Sequence, residues 1–578
     1  MADWHERQTL GGLPERAARR WGPREALAFQ GRRWTFAEVH ARVDAVAKGL
    51  LELGIAPGDR VALWMVNRPE WIDAMFAIMK IGALLVPVNT RFRTEDMAYV
   101  LGQSEASAVI LAERSGPIDY LAMMREVAPR LPGLRQVVVL SDRAVADTVD
   151  WRGMLERGHK VSDAALRERA AGVDPEQSAF IFYTSGTTGF PKGAVHNHRM
   201  LRNTWDHGDR MGVSVNDVIL MYLPLFHAFG FIEGPLMSMI RGARQVLTET
   251  FDPDECLDLL ASERATIIHG FDTHYQALLE AQARKPRDVS SVRTGICGTG
   301  MSSSIPIARR ARQTFGNLMT GFGMSEVGIG VTFSFLDSTE EQCVEANGYP
   351  GAGYELRIVD PATGAEQPVS VPGEILVRGY MVTRGYYNKP EDTARAIDRD
   401  GWFHTGDMGV MRPDGHMRFL GRYKDMLKIG GENVDPMEVE AFLASHPAIA
   451  AAAVVGLPDA RLAEVAVAFV QRLPGATLTE RDVIEHCRGR VASFKIPRHV
   501  VFVDEFPMTS TGKVQKVKLR ERARNQWPQS LTRLSAGNSS SLISRMLARA
   551  CPSGIPSQCV RKNRKLAPTC SQHGRSCS

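Results

Sequence analysis

Eleven consecutive residues, Tyr183-Thr184-Ser185-Gly186-Thr187-Thr188-Gly189-Phe190-Pro191-Lys192-Gly193, carry three glycines, four small hydroxyl side chains and one lysine. An apolar run, Ala179-Phe180-Ile181-Phe182, leads into them. Glycines let backbone N–H groups approach phosphate oxygens closely. Hydroxyls add short hydrogen bonds to those oxygens, and lysine adds a compact positive charge. Such a loop suits a triphosphate. It is not a Walker A loop, because Pro191 stands where that motif needs glycine and no Ser or Thr follows Lys192.

Five further stretches follow in order: Leu223-Pro224-Leu225-Phe226-His227-Ala228-Phe229-Gly230, Thr320-Gly321-Phe322-Gly323-Met324-Ser325-Glu326, Gly401-Trp402-Phe403-His404-Thr405-Gly406-Asp407, Gly421-Arg422-Tyr423-Lys424-Asp425 and Phe506-Pro507-Met508-Thr509-Ser510-Thr511-Gly512-Lys513-Val514. With the loop, they resemble the ordered motifs of the adenylate-forming superfamily: acyl-CoA synthetases, luciferases and peptide-synthetase adenylation domains. The resemblance spans roughly residues 8–524.

The resemblance implies a role for each motif. Thr184, Ser185, Gly186, Thr187, Thr188, Gly189 and Lys192 would hold the phosphates of ATP. Glu326, with Thr184, would face Mg²⁺, since a hard cation on a triphosphate takes oxygen ligands. The Phe322 ring would stack near the adenine beside Gly323 and Ser325; Phe322 lacks the usual phenol hydroxyl, and Ser325 stands for the usual threonine. Asp407 would accept the ribose hydroxyls, and Arg422 would contact the nucleotide. His227 would gate the acyl pocket, with Gly298, Thr299 and Gly300 in its wall. Lys424 would be a hinge pivot, and Gly430, Gly431 and Glu432 would line the path of coenzyme A. Lys513 would bridge the α-phosphate and the attacking carboxylate. One well-placed donor at developing charge is typically worth about 3–4 kcal/mol.

The elements that must position these groups are legible too. Arg60-Val61-Ala62-Leu63-Trp64-Met65-Val66 reads as a buried strand, 69–81 as a helix, and Ala83-Leu84-Leu85-Val86-Pro87-Val88 as a strand. A helix over 94–103 and a strand over Ser107-Ala108-Val109-Ile110-Leu111-Ala112 complete a βαβαβ pattern. The predicted fold class is α/β: a large multi-layer N-terminal domain with mixed sheets (1–421), a hinge (422–430) and a small mobile α+β C-terminal domain (431–525). Within the small domain the pattern predicts helices over Glu438–Leu443 and Thr479–Gly489 and strands over Ile449–Gly456, Val465–Gln471 and His499–Asp504.

Composition bounds the rest. The net charge is +5, but residues 526–578 hold eight Lys/Arg, eleven Ser and no Asp/Glu, so the body is mildly acidic. That argues against a nucleic-acid surface, and the tail reads as disordered. There is no apolar run of 18 residues and no signal-peptide core, so a cytoplasmic protein without an integral membrane segment is expected; a peripheral membrane contact is left open. The eight cysteines make no Cys-x-x-Cys pair.

The expected activity is that of an acid–thiol ligase: a carboxylic acid, ATP and coenzyme A give acyl-CoA through an acyl-adenylate, with Mg²⁺, in a monomer or homodimer. Ser493-Phe494-Lys495-Ile496-Pro497 and Gly512-Lys513-Val514-Gln515-Lys516 look closest to medium- and long-chain fatty acyl-CoA synthetases. An aryl or alicyclic acid is the alternative. Asp272 stands where relatives show proline in His269-Gly270-Phe271-Asp272-Thr273, and Ala463 stands where they show glycine before Glu464. A carrier-linked adenylation domain does not fit, since 53 tail residues are too few and too biased for a carrier domain. A luciferase-like oxygenase shares the fold, and a non-enzymatic scaffold would be expected to have lost Lys513 or Glu326.

Overall fold

The computed structural model describes residues 4–141, 143–184, 191–298, 305–422, 427–434, 436–507, 514 and 516–528. One seven-stranded sheet runs in the order Lys192–Asn197, Ser178–Thr184, Leu84–Pro87, Arg60–Trp64, Ala108–Ala112, Gln136–Leu140, Val149–Asp150. All its neighbours are parallel except Ser178–Thr184 with Lys192–Asn197. Its central strands are continuous apolar runs, as strands covered on both faces must be. The helix Pro69–Lys80 opens on proline and is buried along almost its whole length, so it is an internal layer rather than an amphipathic surface helix.

A second seven-stranded sheet has the order Asn317–Met319, Thr294–Gly298, Ile267–Phe271, Val218–Met221, Arg244–Leu247, Glu25–Phe29, Arg32–Thr35. The segment after His227 lies close to the first sheet: Phe231 packs edge-on against Trp71 at 6.2 Å and lies 5.2 Å from Phe180. Antiparallel strands follow, Gly321–Met324 with Gly328–Phe333 and the four-stranded sheet Tyr354–Val359, Gly373–Gly379, Phe403–Met411, Met417–Arg422. The α/β class with mixed sheets is the observed one.

The small domain is a five-stranded sheet with the helices Pro436–Ala444, Glu480–Cys487 and Lys516–Gln526. Its strands Ile449–Asp459 and Ala463–Arg472 outrun the predicted ones by a few residues, because the two pair along their whole length. Two boundaries shift. Leu427–Ile429, assigned to the hinge from sequence, pairs with Glu432–Val434 and with Ala463 inside the small domain's sheet. The last helix includes Gln526, and the Trp527 ring stacks 4.2 Å from His499, so the folded chain continues past the expected start of the tail. The small domain docks through Lys495, whose buried ammonium pairs with Asp96 of the large domain (2.9 Å) and Glu438 (2.5 Å). Among the described residues, no helix is long and apolar enough to cross a membrane.

Candidate active site

Ser178–Thr184 ends at the phosphate loop and Lys192–Asn197 returns from it, with Thr184 and Lys192 facing each other in the ladder. Ser185, Gly186, Thr187, Thr188 and Gly189 lie outside the described residues, but both ends of their loop are fixed. Thr184 Oγ1 donates to Glu326 Oε1 at 3.1 Å, and the Tyr386 hydroxyl donates to the same oxygen at 3.2 Å. Burial and the Glu326 carboxylate both push the Tyr386 phenol well above its ordinary pKa, so it stays a donor. The Glu326 carboxylate is buried, and among the described residues no cation pairs with it. A buried carboxylate steadied by two neutral hydroxyls fits a hard divalent cation.

Lys192 is buried as well. Its ammonium pairs with Asp392 at 2.7 Å and sits 5.2 Å from the centre of the Tyr386 ring. Asp392 also takes Arg395 at 2.5 Å. A carboxylate thus occupies the lysine that the sequence assigns to phosphate. Behind Glu326, the Thr383 N–H donates to its main-chain carbonyl at 2.6 Å. His196 Nε2–H donates to the Ser325 carbonyl at 2.5 Å. Burial lowers the His196 pKa to about 4, so the ring is neutral and that tautomer is required. Tyr386, Asp392, Arg395, Thr383 and His196 are absent from the sequence-based site. Lys192 and Asp392 lie 200 residues apart, so no local spacing could have joined them.

The remaining residues that the sequence assigns to the nucleotide are carried by the antiparallel strands. Phe322 is buried and stacks 5.8 Å from Phe419, and Gly323 follows it on the same strand. Asp407 is buried, with its N–H bonded to Thr405 Oγ1 at 3.0 Å, opposite Arg422 in the ladder.

His227 precedes the helix Ala228–Phe231, and half of its side chain is exposed. Its Nε2 lies 3.5 Å from Glu432 Oε2. Arg91 reaches the other Glu432 oxygen at 3.5 Å. Burial raises the Glu432 pKa, but His227 and Arg91 outweigh it and hold the carboxyl below its ordinary value. Gly430 and Gly431, at φ 59° and 84°, make the turn that delivers Glu432, a left-handed pair that side-chain-bearing residues resist. Gly298 ends its strand against the Phe271 ring. Two groups therefore form: Thr184, Glu326 and Lys192 around Tyr386, and His227 with Gly430, Gly431 and Glu432. Thr299, Gly300, Lys424 and Lys513 lie outside the described residues.

Comparison with known proteins shows the family. Residues 14–387 match the model of the AMP-binding enzyme family, and 438–513 match the AMP-binding enzyme C-terminal domain. The chain is 36% identical to a 3-[(3aS,4S,7aS)-7a-methyl-1,5-dioxo-octahydro-1H-inden-4-yl]propanoyl:CoA ligase of Rhodococcus jostii (strain RHA1), over 88% of this chain and 97% of that one. It is 32% identical to the mitochondrial medium-chain acyl-CoA ligase ACSF2 of Danio rerio, over 88% and 87%. The amide bond synthetase McbA from Marinactinospora thermotolerans superposes with a TM-score of 0.76 at 26% identity, over 89% of this chain and 99% of that one. From motifs, fold and relatives together, the chain belongs to the AMP-binding enzymes of the adenylate-forming superfamily, among their ATP-dependent, AMP-forming acyl-CoA synthetases.

Proposed function

We propose that this protein joins a medium- or long-chain fatty acid, or an alicyclic acid of similar bulk, to coenzyme A in the cytoplasm. The observation that carries the reading is Glu432 of the small domain standing at His227 of the large one. It supports a closed form in which the acceptor segment already sits at the acyl residue.

In the first half-reaction a carboxylate oxygen attacks the α-phosphorus of ATP, and pyrophosphate leaves. Lys192 and the loop hydroxyls hold the phosphates, and Lys192 must exchange Asp392 for them. Mg²⁺, held by Glu326 with Thr184 beside it, would neutralise charge on the phosphates. Lys513 would steady the two approaching anions, and Phe322, Asp407 and Arg422 would hold the nucleoside. In the second half-reaction the thiol sulfur attacks the acyl carbonyl, and the bond to AMP breaks. The acyl-adenylate is a mixed anhydride open to hydrolysis, so closure of the small domain about Lys424 would exclude water.

The two half-reactions should separate by mutation. Lys513→Ala should abolish pyrophosphate release while sparing acyl-CoA formation from supplied acyl-adenylate. Glu432→Ala should do the reverse. Equal loss of both steps in either variant would remove that residue from its role. A pyrophosphate-release panel of linear, alicyclic and aromatic acids, with and without coenzyme A, tests the substrate class.

A further inference from the structure

The helix after His227 does not continue regularly. Ile232–Leu236 forms a π-turn around Pro235, which has no N–H to give to the ladder. The turn carries Glu233, fully buried, six residues beyond His227. At ~1.5 Å per residue that is about 9 Å deeper along the segment. The wall between is aromatic: Phe229 lies 5.3 Å from Phe271 and 6.0 Å from His269.

The deep end is polar. Glu233 Oε1 accepts from His207 Nδ1 at 2.6 Å, and the other His207 nitrogen lies 3.3 Å from the Gly330 carbonyl. The imidazole stacks on Phe333 at 4.8 Å. It also fills the space beside Gly330, where a Cβ would come within 2.1 Å of it. Burial opposes charge on His207, but Glu233 outweighs it and raises the pKa. Among the described residues, Glu233 Oε2 is left without a partner, as is the buried Nε2 of His269. His269 is neutral, its pKa lowered to about 4 by burial, and its Nδ1 accepts the Ile296 N–H at 3.3 Å. The proton therefore sits on Nε2. An unmatched acceptor and an unmatched donor, both buried and near enough for the Glu233 charge to act on the His269 ring, lie beyond Phe229 from His227. Each such group is costly while unmatched, and native folds rarely keep them without a use.

Resting on the acyl-CoA ligase reading, we infer that the acyl site ends in a polar recess selecting acids that carry a distal hydroxyl. The hydroxyl donates to Glu233 Oε2 and accepts from His269 Nε2–H, while the methylenes between lie along Phe229 and Phe271.

The test compares 8-hydroxyoctanoate with octanoate, and 10-hydroxydecanoate with decanoate, in acyl-CoA formation by the full chain. The better hydroxy acid should exceed its plain partner in kcat/KM by about 10-fold or more, the worth of one matched buried polar pair. His269→Leu should cut that ratio by at least about half an order of magnitude; a merely structural role for His269 would lower both acids alike and leave the ratio fixed. Plain acids equal to or better than hydroxy acids, or an unchanged ratio in the variant, overturns the recess: ordered water alone then fills it. If neither kind of acid is turned over by protein that binds Mg-ATP, the fatty-acid reading of the substrate fails, and the recess with it.

Discussion

At the scale of single residues, Glu326 ties together distant parts of the chain. Two hydroxyls fix one of its oxygens, and the Thr383 N–H and the His196 ring fix main-chain carbonyls of the turn that carries it. If its charge holds Mg-ATP, Glu326→Gln should keep the shape and lower kcat/KM for adenylation roughly 100-fold or more, the usual scale for one electrostatic contact made in the transition state. Pyrophosphate release reads this directly, and near-normal rates would sink the assignment. Tyr386→Phe removes one hydrogen bond to the same carboxylate. A lost bond to a charged group is worth about 1.5 kcal/mol or more, so KM for Mg-ATP should rise about 10-fold. An unchanged KM would mean the Tyr386 hydroxyl merely fills space. Neither Tyr386 nor Asp392 announces itself in sequence, since each meets its partner only through the fold.

At the scale of elements, Ala463 is one of seven described residues other than glycine that hold a positive φ. Ala463 adopts φ 66° at the start of the strand Ala463–Arg472, where it bridges to Ile429. The left-handed region costs a residue with a Cβ about 1–2 kcal/mol, and glycine returns about 0.4–1 kcal/mol of that through its looser unfolded chain. Ala463→Gly should therefore be neutral to stabilising, raising Tm by about 1–2 °C. A clear fall in Tm would show that the methyl packs productively. The substitution was visible in sequence as a departure from the family's glycine; its cost was visible only in the backbone angle. Helices and strands were legible as apolar runs of the right length between turn signals, as in Pro69–Lys80 and Leu84–Pro87. Their ends were not, because pairing partners set them.

At the scale of the whole molecule, the fold buries neutral imidazoles. His196, His198 and His269 are 2%, 1% and 1% exposed, and burial lowers each to about 4. Unfolded histidines titrate near ~6.5. Between these values the unfolded chain binds protons that the folded one does not, so stability rises with pH across that window and is lost as pH falls through it. Each group contributes up to ~1.4 kcal/mol per pH unit, on the order of 4 kcal/mol per unit for the three. His207, whose pKa is raised, works in the opposite direction and offsets part of this. Denaturant midpoints should drop steeply from pH 6.5 to 4.5. A flat profile would mean these rings accept protons while folded.

The sequence by itself determined the reaction class. Glycines, hydroxyls and a lysine in one loop suit phosphate by composition, and the ordered motifs after it point to adenylation through their resemblance to the adenylate-forming superfamily. Buried parallel strands and the break before the small domain were likewise local signals. Only the tertiary structure decided what Lys192 rests on, which hydroxyls hold Glu326, and that Glu432 faces His227. It also decided that the segment behind His227 ends in unmatched polar atoms. These are meetings between residues distant in the chain, and a buried charge or donor acquires its meaning from what the fold places beside it.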